Sequence, residues 1–174
     1  MNDYAVIQLD RPVTNRAPLN FRLEGSVKLG DSLVVIGHPS GLPTKIAGGA
    51  TVQQVEHPAY FQADLDTYGG NSGSAVFNAQ TGEVEGILVR GAKDYVFDRE
   101  RGCYVSNRCE KMDTENRICE GESVSRISAV DIVALEMQDL VDKEPSLATS
   151  LTDVTLADGQ GQTLLMAAVK YGKY

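Results

Sequence analysis

Long apolar runs and basic charge are both scarce in this sequence of 174 residues. No run approaches the roughly 18 apolar residues that a membrane-spanning helix needs, so no membrane span is predicted. Sixteen Lys and Arg residues stand against 24 Asp and Glu residues, which gives a net charge of −8. That charge argues against nucleic acid or an anionic membrane as the partner. The opening MNDYAVIQL has no basic region and no small-residue cleavage site, so no signal peptide is apparent.

Cysteine and histidine are also rare. The three cysteines, Cys103, Cys109 and Cys119, allow one disulfide with one thiol left over, and the sequence leaves the pairing open. The two histidines, His38 and His57, lie far from these cysteines in the chain. A zinc site is therefore disfavoured, and no metal or other cofactor is predicted.

Two familiar glycine-loop motifs are missing. No G-x-x-x-x-G-K-[ST] is present, which argues against a phosphate-binding loop. The residue two after Ser72 is Ser74 and not glycine, so the G-x-S-x-G turn of α/β-hydrolases is absent as well.

What the sequence does contain is GGNSGSAVF at residues 69–77, a serine among three glycines followed by an apolar strand. Glycine tolerates positive φ and allows close approach to the backbone. The arrangement leaves the Ser72 hydroxyl uncrowded and nearby amides free, as a nucleophilic serine with an oxyanion hole requires. The alternative is an ordinary Gly/Ser-rich turn between strands.

GGNSGSAVFN followed by TGEVEGILVRG resembles the nucleophile region of trypsin-fold serine proteases. It is most similar to the bacterial glutamyl-endopeptidase-like branch, in which Asn precedes the serine. The resemblance implies that Ser72 is the nucleophile, that the amides of Gly70 and Ser72 form the oxyanion hole, and that the substrate is a protein or peptide. DYAVIQLDRPV resembles the segment with the triad acid, which would be Asp3, holding the Nδ1–H of a histidine.

The same resemblance places the walls of the primary substrate pocket at Asp66, Thr67, Val89, Arg90 and Gly91. Asp66 has the spacing of a pocket-floor acid that would select Arg or Lys, although it could instead cap a turn or be neutralised by Arg90. Thr67 matches a threonine of glutamyl endopeptidases, but their pocket histidine would fall at Leu88. Strict glutamate preference is therefore not expected, and the specificity stays open.

Short strands separated by turn signals predict an all-β fold. We expect the second six-stranded antiparallel barrel of a trypsin-like protease, with part of the first barrel and a C-terminal helix. The predicted strands are residues 4–9, 33–37, 46–55 with a bend at Gly48 and Gly49, 75–78 and 84–89, and residues 61–65 lead into the glycine turn. Residues 92–122 are predicted to be a surface loop, and the spacing of apolar residues predicts a helix over 125–137.

A second unit is predicted at the end of the sequence. Residues 1–140 would form the protease domain, 141–156 a linker, and 157–174 a short helical tail. DGQGQTLLMAA at 158–168 resembles the opening of an ankyrin repeat, which implies a protein partner. Only about half a repeat is present, and several repeats are needed to bury an apolar face. The alternative is an amphipathic helix capped by Thr163.

The general base of a triad is the part that this sequence does not supply. In trypsin-fold proteases the histidine precedes the aspartate, whereas His38 and His57 both follow Asp3. We therefore expect an N-terminally truncated protease with little activity as an isolated chain. The rival hypothesis is a non-catalytic, protease-like binding module. The resemblance favours an exported protein whereas ankyrin arrays are mostly intracellular, so the compartment stays open.

Overall fold

The computed structural model describes residues 3–7, 9–11, 13–22, 24–109, 112 and 119–130. These residues form eight strands: β1 Ser32–Gly37, β2 Lys45–Gln54, β3 Tyr60–Ala63, β4 Ala75–Asn78, β5 Val84–Arg90, β6 Tyr95–Asp98, β7 Cys103–Ser106 and β8 Glu122–Arg126. Helical structure in this part of the chain is limited to two short 3₁₀ turns, Pro39–Gly41 and Ile127–Ala129. None of the described helices is long and apolar enough to cross a membrane.

Six of the strands close into a barrel in the order β1-β2-β3-β8-β5-β4, with every neighbouring pair antiparallel. The prediction of an all-β, six-stranded antiparallel barrel is confirmed. The bend predicted in the second strand is also present. Gly48 and Gly49 lie opposite Val34 alone, and the register shifts there. Two residues facing one make a β-bulge, which bends the strand so that the barrel can close.

Alternate residues of the barrel strands point inward and form its core. Phe61, Leu33, Val52, Val76 and Val124 are each no more than 1% exposed. The remaining members of this interior cluster are Val27, Val35, Ala50, Ala63, Leu65 and Leu88. Branched and aromatic side chains fill the inside of a small barrel well, because they pack against neighbours on a pleated surface.

β4 and β5 are also covered on their outer face. A second apolar cluster, here called the outer cluster, has Val84, Ile87, Ile127 and Val130 at its centre. Tyr4, Val6, Phe21, Ala75 and Phe77 pack against it. β5 is therefore buried along six of its seven residues, which explains its nearly continuous apolar sequence.

A buried ion pair ties the segment before β1 to β5. Arg22 binds the Glu85 carboxylate at two points, with Nε–Oε2 at 2.5 Å and Nη2–Oε1 at 2.6 Å. Glu85 is 1% exposed and also accepts a hydrogen bond from Asn78 Nδ2. The Arg22 amide donates to the Val84 carbonyl, so the main chain lies alongside β5 as well. The hydrogen bond that Arg22 donates to Glu85 raises the pKa of Arg22, which keeps the guanidinium charged.

Three sequence predictions need correction. The strand predicted over 4–9 is not present in its described part, since residues 4–7 belong to none of the strands. The predicted helix over 125–137 is wrong at its start, since Ser125 and Arg126 belong to β8 and a 3₁₀ turn follows. Ser125 and Arg126 pair with the neighbouring strands, and this pairing overrides the helical spacing of the side chains. Residues 92–122 are not simply a loop, because β6 and β7 form a two-stranded hairpin within them.

A disulfide lies next to this hairpin. Cys109 and Cys119 are bonded, and Cys103 is an exposed free thiol on β7. The rest of the predicted helix, the linker and the ankyrin-like tail, residues 131–174, lie outside the described residues and stay predictions.

Candidate active site

The glycine turn, residues 69–74, connects β3 to β4 at one end of the barrel. Inside the turn the Asn71 amide donates to the Tyr68 carbonyl at 3.1 Å and the Ser74 amide donates to Asn71 at 2.9 Å. Two further hydrogen bonds join the turn to β5, from the Gly73 amide to Leu88 and from the Leu88 amide to Ser74. The turn is therefore held from within and by the barrel wall, so its position is fixed by the fold.

Ser72 is exposed at the crest of this turn. Its Oγ donates a hydrogen bond to the main-chain oxygen of Val89 at 3.0 Å. Val89 lies where the pairing of β5 with β8 shifts register. The hydroxyl is thus accessible to an incoming group, and the Val89 carbonyl orients it.

The main-chain amides on either side of Asn71, those of Gly70 and Ser72, have no hydrogen-bond acceptor within the described residues. The Asn71 amide, by contrast, is used inside the turn. Gly70 adopts φ +98°, a conformation that glycine reaches without strain. Unpaired amides beside an exposed serine can stabilise negative charge on a carbonyl that the serine attacks.

The loop between β1 and β2 contacts the glycine turn through its main chain. The Ser40 amide donates to the Gly69 carbonyl at 2.7 Å. A Cβ on Gly70 would lie 3.2 Å from the His38 carbonyl oxygen and 3.3 Å from the Ser40 nitrogen. Glycine at position 70 is required both by its positive φ and by this close backbone approach.

Gly37 at the end of β1 makes room for two side chains of the turn. A Cβ at this position would overlap Asn71 Oδ1 and Ser74 Oγ. Asn71 is 4% exposed, and its Oδ1 has no hydrogen-bond partner among the described residues. The position of the glycine turn against β1 therefore depends on the absence of a side chain at Gly37.

Replacing Gly37 with alanine is expected to lower the free energy of unfolding by about 1–3 kcal/mol, because overpacking forces the turn to shift. Urea denaturation measures this change. Gly48→Ala is the matched control, since a Cβ there would meet only Val34 at an ordinary 3.6 Å. Equal stability of the two variants would contradict the prediction.

Asp3 lies against the outer face of the barrel. Its main-chain oxygen accepts a hydrogen bond from Ser125 Oγ at 3.4 Å, and Ser125 is paired with Ile87. Val89, which holds the Ser72 hydroxyl, is two residues beyond Ile87 on the same strand. The main chain of Asp3 therefore lies beside β8, next to β5. The role of the Asp3 carboxylate stays a prediction.

The rings of both histidines contact residues other than Ser72. The His38 ring lies between the Leu42 carbonyl oxygen, 3.2 Å from Nδ1, and Thr44 Oγ1, 3.3 Å from Nε2. His57 accepts the Ala59 amide at Nδ1 and stacks on the ring of Tyr60. Neither ring hydrogen-bonds Ser72, and these turn and strand-end contacts explain where both histidines lie.

The predicted pocket residues divide into buried and exposed members. Thr67 and Val89 are buried, whereas Asp66 and Arg90 are exposed. Gly91, which follows β5, is exposed, and a Cβ on it would overlap the carboxylate of Glu122, a residue that sequence reasoning did not consider. The fold brings segments 66–67 and 89–91 to the two sides of Glu122.

Glu122 is the buried acid of this region. It is 8% exposed, and its carboxylate occupies the space where a Cβ on Gly91 would lie. Burial raises the pKa of Glu122 to about 7, while a hydrogen bond from Thr67 opposes the rise and the charges of Asp94 and Asp66 add to it. No local sequence signal identifies Glu122, because its partners come from distant parts of the chain.

A closed antiparallel barrel that presents an exposed serine in a glycine turn defines a class of protein, the serine proteases with a trypsin-like fold. The family model described as "Trypsin-like peptidase domain" matches residues 1–87, half of the chain. The chain therefore belongs to the trypsin-like peptidase family.

Solved structures of the protease Rv3671c are similar to this chain. The active form from M. tuberculosis is 18% identical with a TM-score of 0.43, over 67% of this chain and 46% of that one. An inactive form is 18% identical with a TM-score of 0.45, over 78% of this chain and 66% of that one. The chain thus spans between about half and two thirds of the length of these structures. No curated protein matches the chain.

Proposed function

We propose that this chain is part of a serine endopeptidase in which Ser72 attacks the peptide carbonyl. The observation that carries the proposal is the exposed Ser72 hydroxyl, held by Val89, in a turn whose Gly70 and Ser72 amides have no acceptor within the described residues. Attack forms a bond from Oγ to the carbonyl carbon and places negative charge on the carbonyl oxygen. The two amides stabilise that charge, and the amine then leaves to give an acyl-enzyme.

Proton transfer is the step that the chain does not complete by itself. The Ser72 proton has to be taken up by a base and later given to the leaving amine. The rings of His38 and His57 are engaged elsewhere. We therefore propose that the base is an imidazole from outside this sequence, oriented by Asp3. The isolated chain then hydrolyses peptides on the order of 10⁶-fold more slowly than a complete triad does.

The test is labelling of Ser72 in the 174-residue chain by a fluorescent fluorophosphonate, with and without free imidazole. Slow labelling that imidazole accelerates is expected, because the free ring can occupy the place of the missing base. Peptide mass spectrometry locates the modified serine. Ser72→Ala should abolish labelling, whereas Ser106→Ala, at an exposed serine on β7, should leave it unchanged.

Two results would count against the proposal. Labelling of Ser72 that is no faster than that of Ser106 in imidazole would refute the nucleophile and favour the second candidate, a non-catalytic protein-binding module. The observation that favours this second candidate is that, among the described residues, neither histidine ring hydrogen-bonds Ser72. Fast labelling without imidazole would refute the claim that the base is missing.

The placement in the glutamyl-endopeptidase-like branch and the C-terminal unit belong to the same proposal. Asn71 before the serine supports the branch, and the glycine-rich turn before Thr163 supports an ankyrin repeat over 157–174. A protein partner at such a repeat would be a partner in addition to the peptide substrate.

A further inference from the structure

The direction of the Gly70 amide is set by the carbonyl of the residue before it. No cis peptide bond occurs among the described residues, and in a planar trans peptide group the carbonyl and the amide point in opposite directions. The Gly70 amide shares its peptide group with the Gly69 carbonyl, which accepts the Ser40 amide at 2.7 Å. The hydrogen bond from Ser40 therefore also fixes where the Gly70 amide points.

The amide of Gly69 is held as well, by a side chain from a distant part of the sequence. Asp94 Oδ2 accepts this amide at 2.8 Å. A Cβ on Gly69 would lie 3.1 Å from the same oxygen, so the carboxylate comes close to the main chain at this position. Consecutive glycines have wide conformational freedom, and hydrogen bonds at both main-chain groups of Gly69 restrict it.

Asp94 is itself fixed by the base of the β6–β7 hairpin. It stands immediately before β6, and its main-chain oxygen accepts the amide of Asn107 at 2.7 Å. Asn107 directly follows β7, and its Nδ2 donates to the Lys93 carbonyl at 2.8 Å. The carboxylate therefore extends towards the glycine turn from a main chain that is already held in place, as a preorganised contact requires.

Tyr95, the first residue of β6, contacts the same part of the site. Its ring lies against that of Tyr68, with the centroids 5.7 Å apart, and its hydroxyl is 3.4 Å from Ser40 Oγ. Ser40 has φ 51°, a conformation that residues other than glycine rarely adopt and that persists only where the surroundings hold it. The hairpin thus contacts Gly69 directly and also the residue that holds the Gly69 carbonyl.

We propose that Asp94 is a positioning residue of the oxyanion hole. By holding the Gly69 amide, it keeps the Gly70 amide directed at the carbonyl oxygen that Ser72 attacks. Donors that are oriented before the reaction stabilise the developing charge best, so a Gly70 amide that turns away costs rate. The proposal rests on the proposed function, since it assigns a role at that same site, and Asp94 acts through Gly69 without touching the substrate.

Labelling of Ser72 by the fluorophosphonate in imidazole measures this role. Asp94→Ala should lower the second-order rate constant of labelling by about 10-fold, as expected for losing a hydrogen bond to a charged group. Loss of a complete oxyanion donor costs more, roughly 10²–10³-fold. Glu100→Ala, at an exposed acid between β6 and β7, is the matched control and should leave the rate unchanged.

A conservative variant separates positioning from a general loss of structure. Asp94→Asn keeps an oxygen that can accept the Gly69 amide, so its labelling rate should recover to within about 3-fold of the wild-type rate. Urea midpoints of Asp94→Ala and Glu100→Ala should be equal. A lower midpoint for Asp94→Ala would overturn the positioning role and assign a structural one.

Hydrogen exchange measured by NMR tests the same contact without any reaction at Ser72. The Gly69 amide should exchange at least about 10-fold faster in Asp94→Ala, because it loses its acceptor. The resonance of the Gly70 amide should shift in Asp94→Ala and stay in place in Glu100→Ala.

Failure of this proposal is distinguishable from failure of the proposed function. If wild-type Ser72 reacts, then equally fast labelling of Asp94→Ala, or labelling of Asp94→Asn as slow as that of Asp94→Ala, would overturn the positioning role and leave the nucleophile in place. If wild-type Ser72 does not react, the peptidase is refuted and the exchange measurement decides. Unchanged exchange of the Gly69 amide would then overturn the proposal, whereas faster exchange with a shifted Gly70 resonance would support the positioning of this amide.

Discussion

Replacing Arg22 with methionine is expected to lower the free energy of unfolding by about 3–5 kcal/mol, because the substitution leaves the buried carboxylate of Glu85 without its cation. Glu85 is 1% exposed, and Arg22 provides two of its contacts. Asn78 would remain as a partner, but an amide donor does not neutralise the charge. Urea denaturation at neutral pH measures the loss, and circular dichroism establishes whether the barrel is still folded.

Two further variants separate the effect of an unpaired Glu85 charge from the effect of lost side-chain packing at Arg22. Arg22→Met combined with Glu85→Leu should recover most of the stability, since buried ion pairs are often replaceable by apolar residues. Arg16→Met, at an exposed arginine, should change the free energy of unfolding by less than about 0.5 kcal/mol. A double variant as unstable as Arg22→Met alone would show that the unpaired Glu85 charge does not cause the loss of stability.

Glu122→Gln is expected to stabilise the protein increasingly as the pH rises. The pKa of Glu122 is about 7 in the folded protein, against an ordinary value of 4.5. Between these values the folded state binds the proton more strongly than the unfolded state does, so the wild-type chain loses stability as pH rises through this window. At 1.36 kcal/mol per tenfold change in proton affinity, the full loss is about 3 kcal/mol above pH 7. Glutamine does not titrate and avoids it.

Urea midpoints of the wild-type chain and of Glu122→Gln, measured at about pH 4 and about pH 8, check this prediction. The two proteins should be similar in stability at the acidic pH, and the variant should be more stable at the alkaline pH. Glu24→Gln, at an exposed acid, is the control with the same change in net charge. A difference between the two proteins that does not change with pH would contradict the burial of a titrating carboxylate at position 122.

The two predictions describe opposite uses of a buried acid. Glu85 has its cation within the fold and contributes to holding the segment of Arg22 on β5. Glu122 has none among the described residues and destabilises the folded chain once it is ionised.

Much of the barrel could be predicted from local sequence. The strands at 33–37, 75–78 and 84–89 are confirmed almost to the residue, since alternating apolar residues and flanking turn signals are local properties. The bend at Gly48 and Gly49 followed from the two glycines. The β6–β7 hairpin was missed because its aromatic residues, Tyr95, Phe97 and Tyr104, are exposed and lie in a stretch rich in charged residues, so that no alternation of buried apolar residues marks it.

The site was predicted in part for the same reason. Ser72 and the glycines beside it form one continuous turn, and a continuous motif is visible in the sequence. The predicted roles of Asp3 and of the Gly70 and Ser72 amides stay proposals that labelling will test. Glu122 could not be predicted, since Thr67 and Gly91 meet it only after β3, β5 and β8 have paired.

The amino-acid sequence by itself determined where the strands and the glycine turn form, because backbone preference and side-chain alternation act over a few residues. Only the tertiary structure decided which acids lose contact with water and what they meet there. Closure of the barrel places Arg22 on Glu85 and brings Glu122 between Thr67 and Gly91. Burial and the partner of a charge depend on residues that are distant in the chain, and these two quantities set the contribution of each buried acid to the stability of this protein.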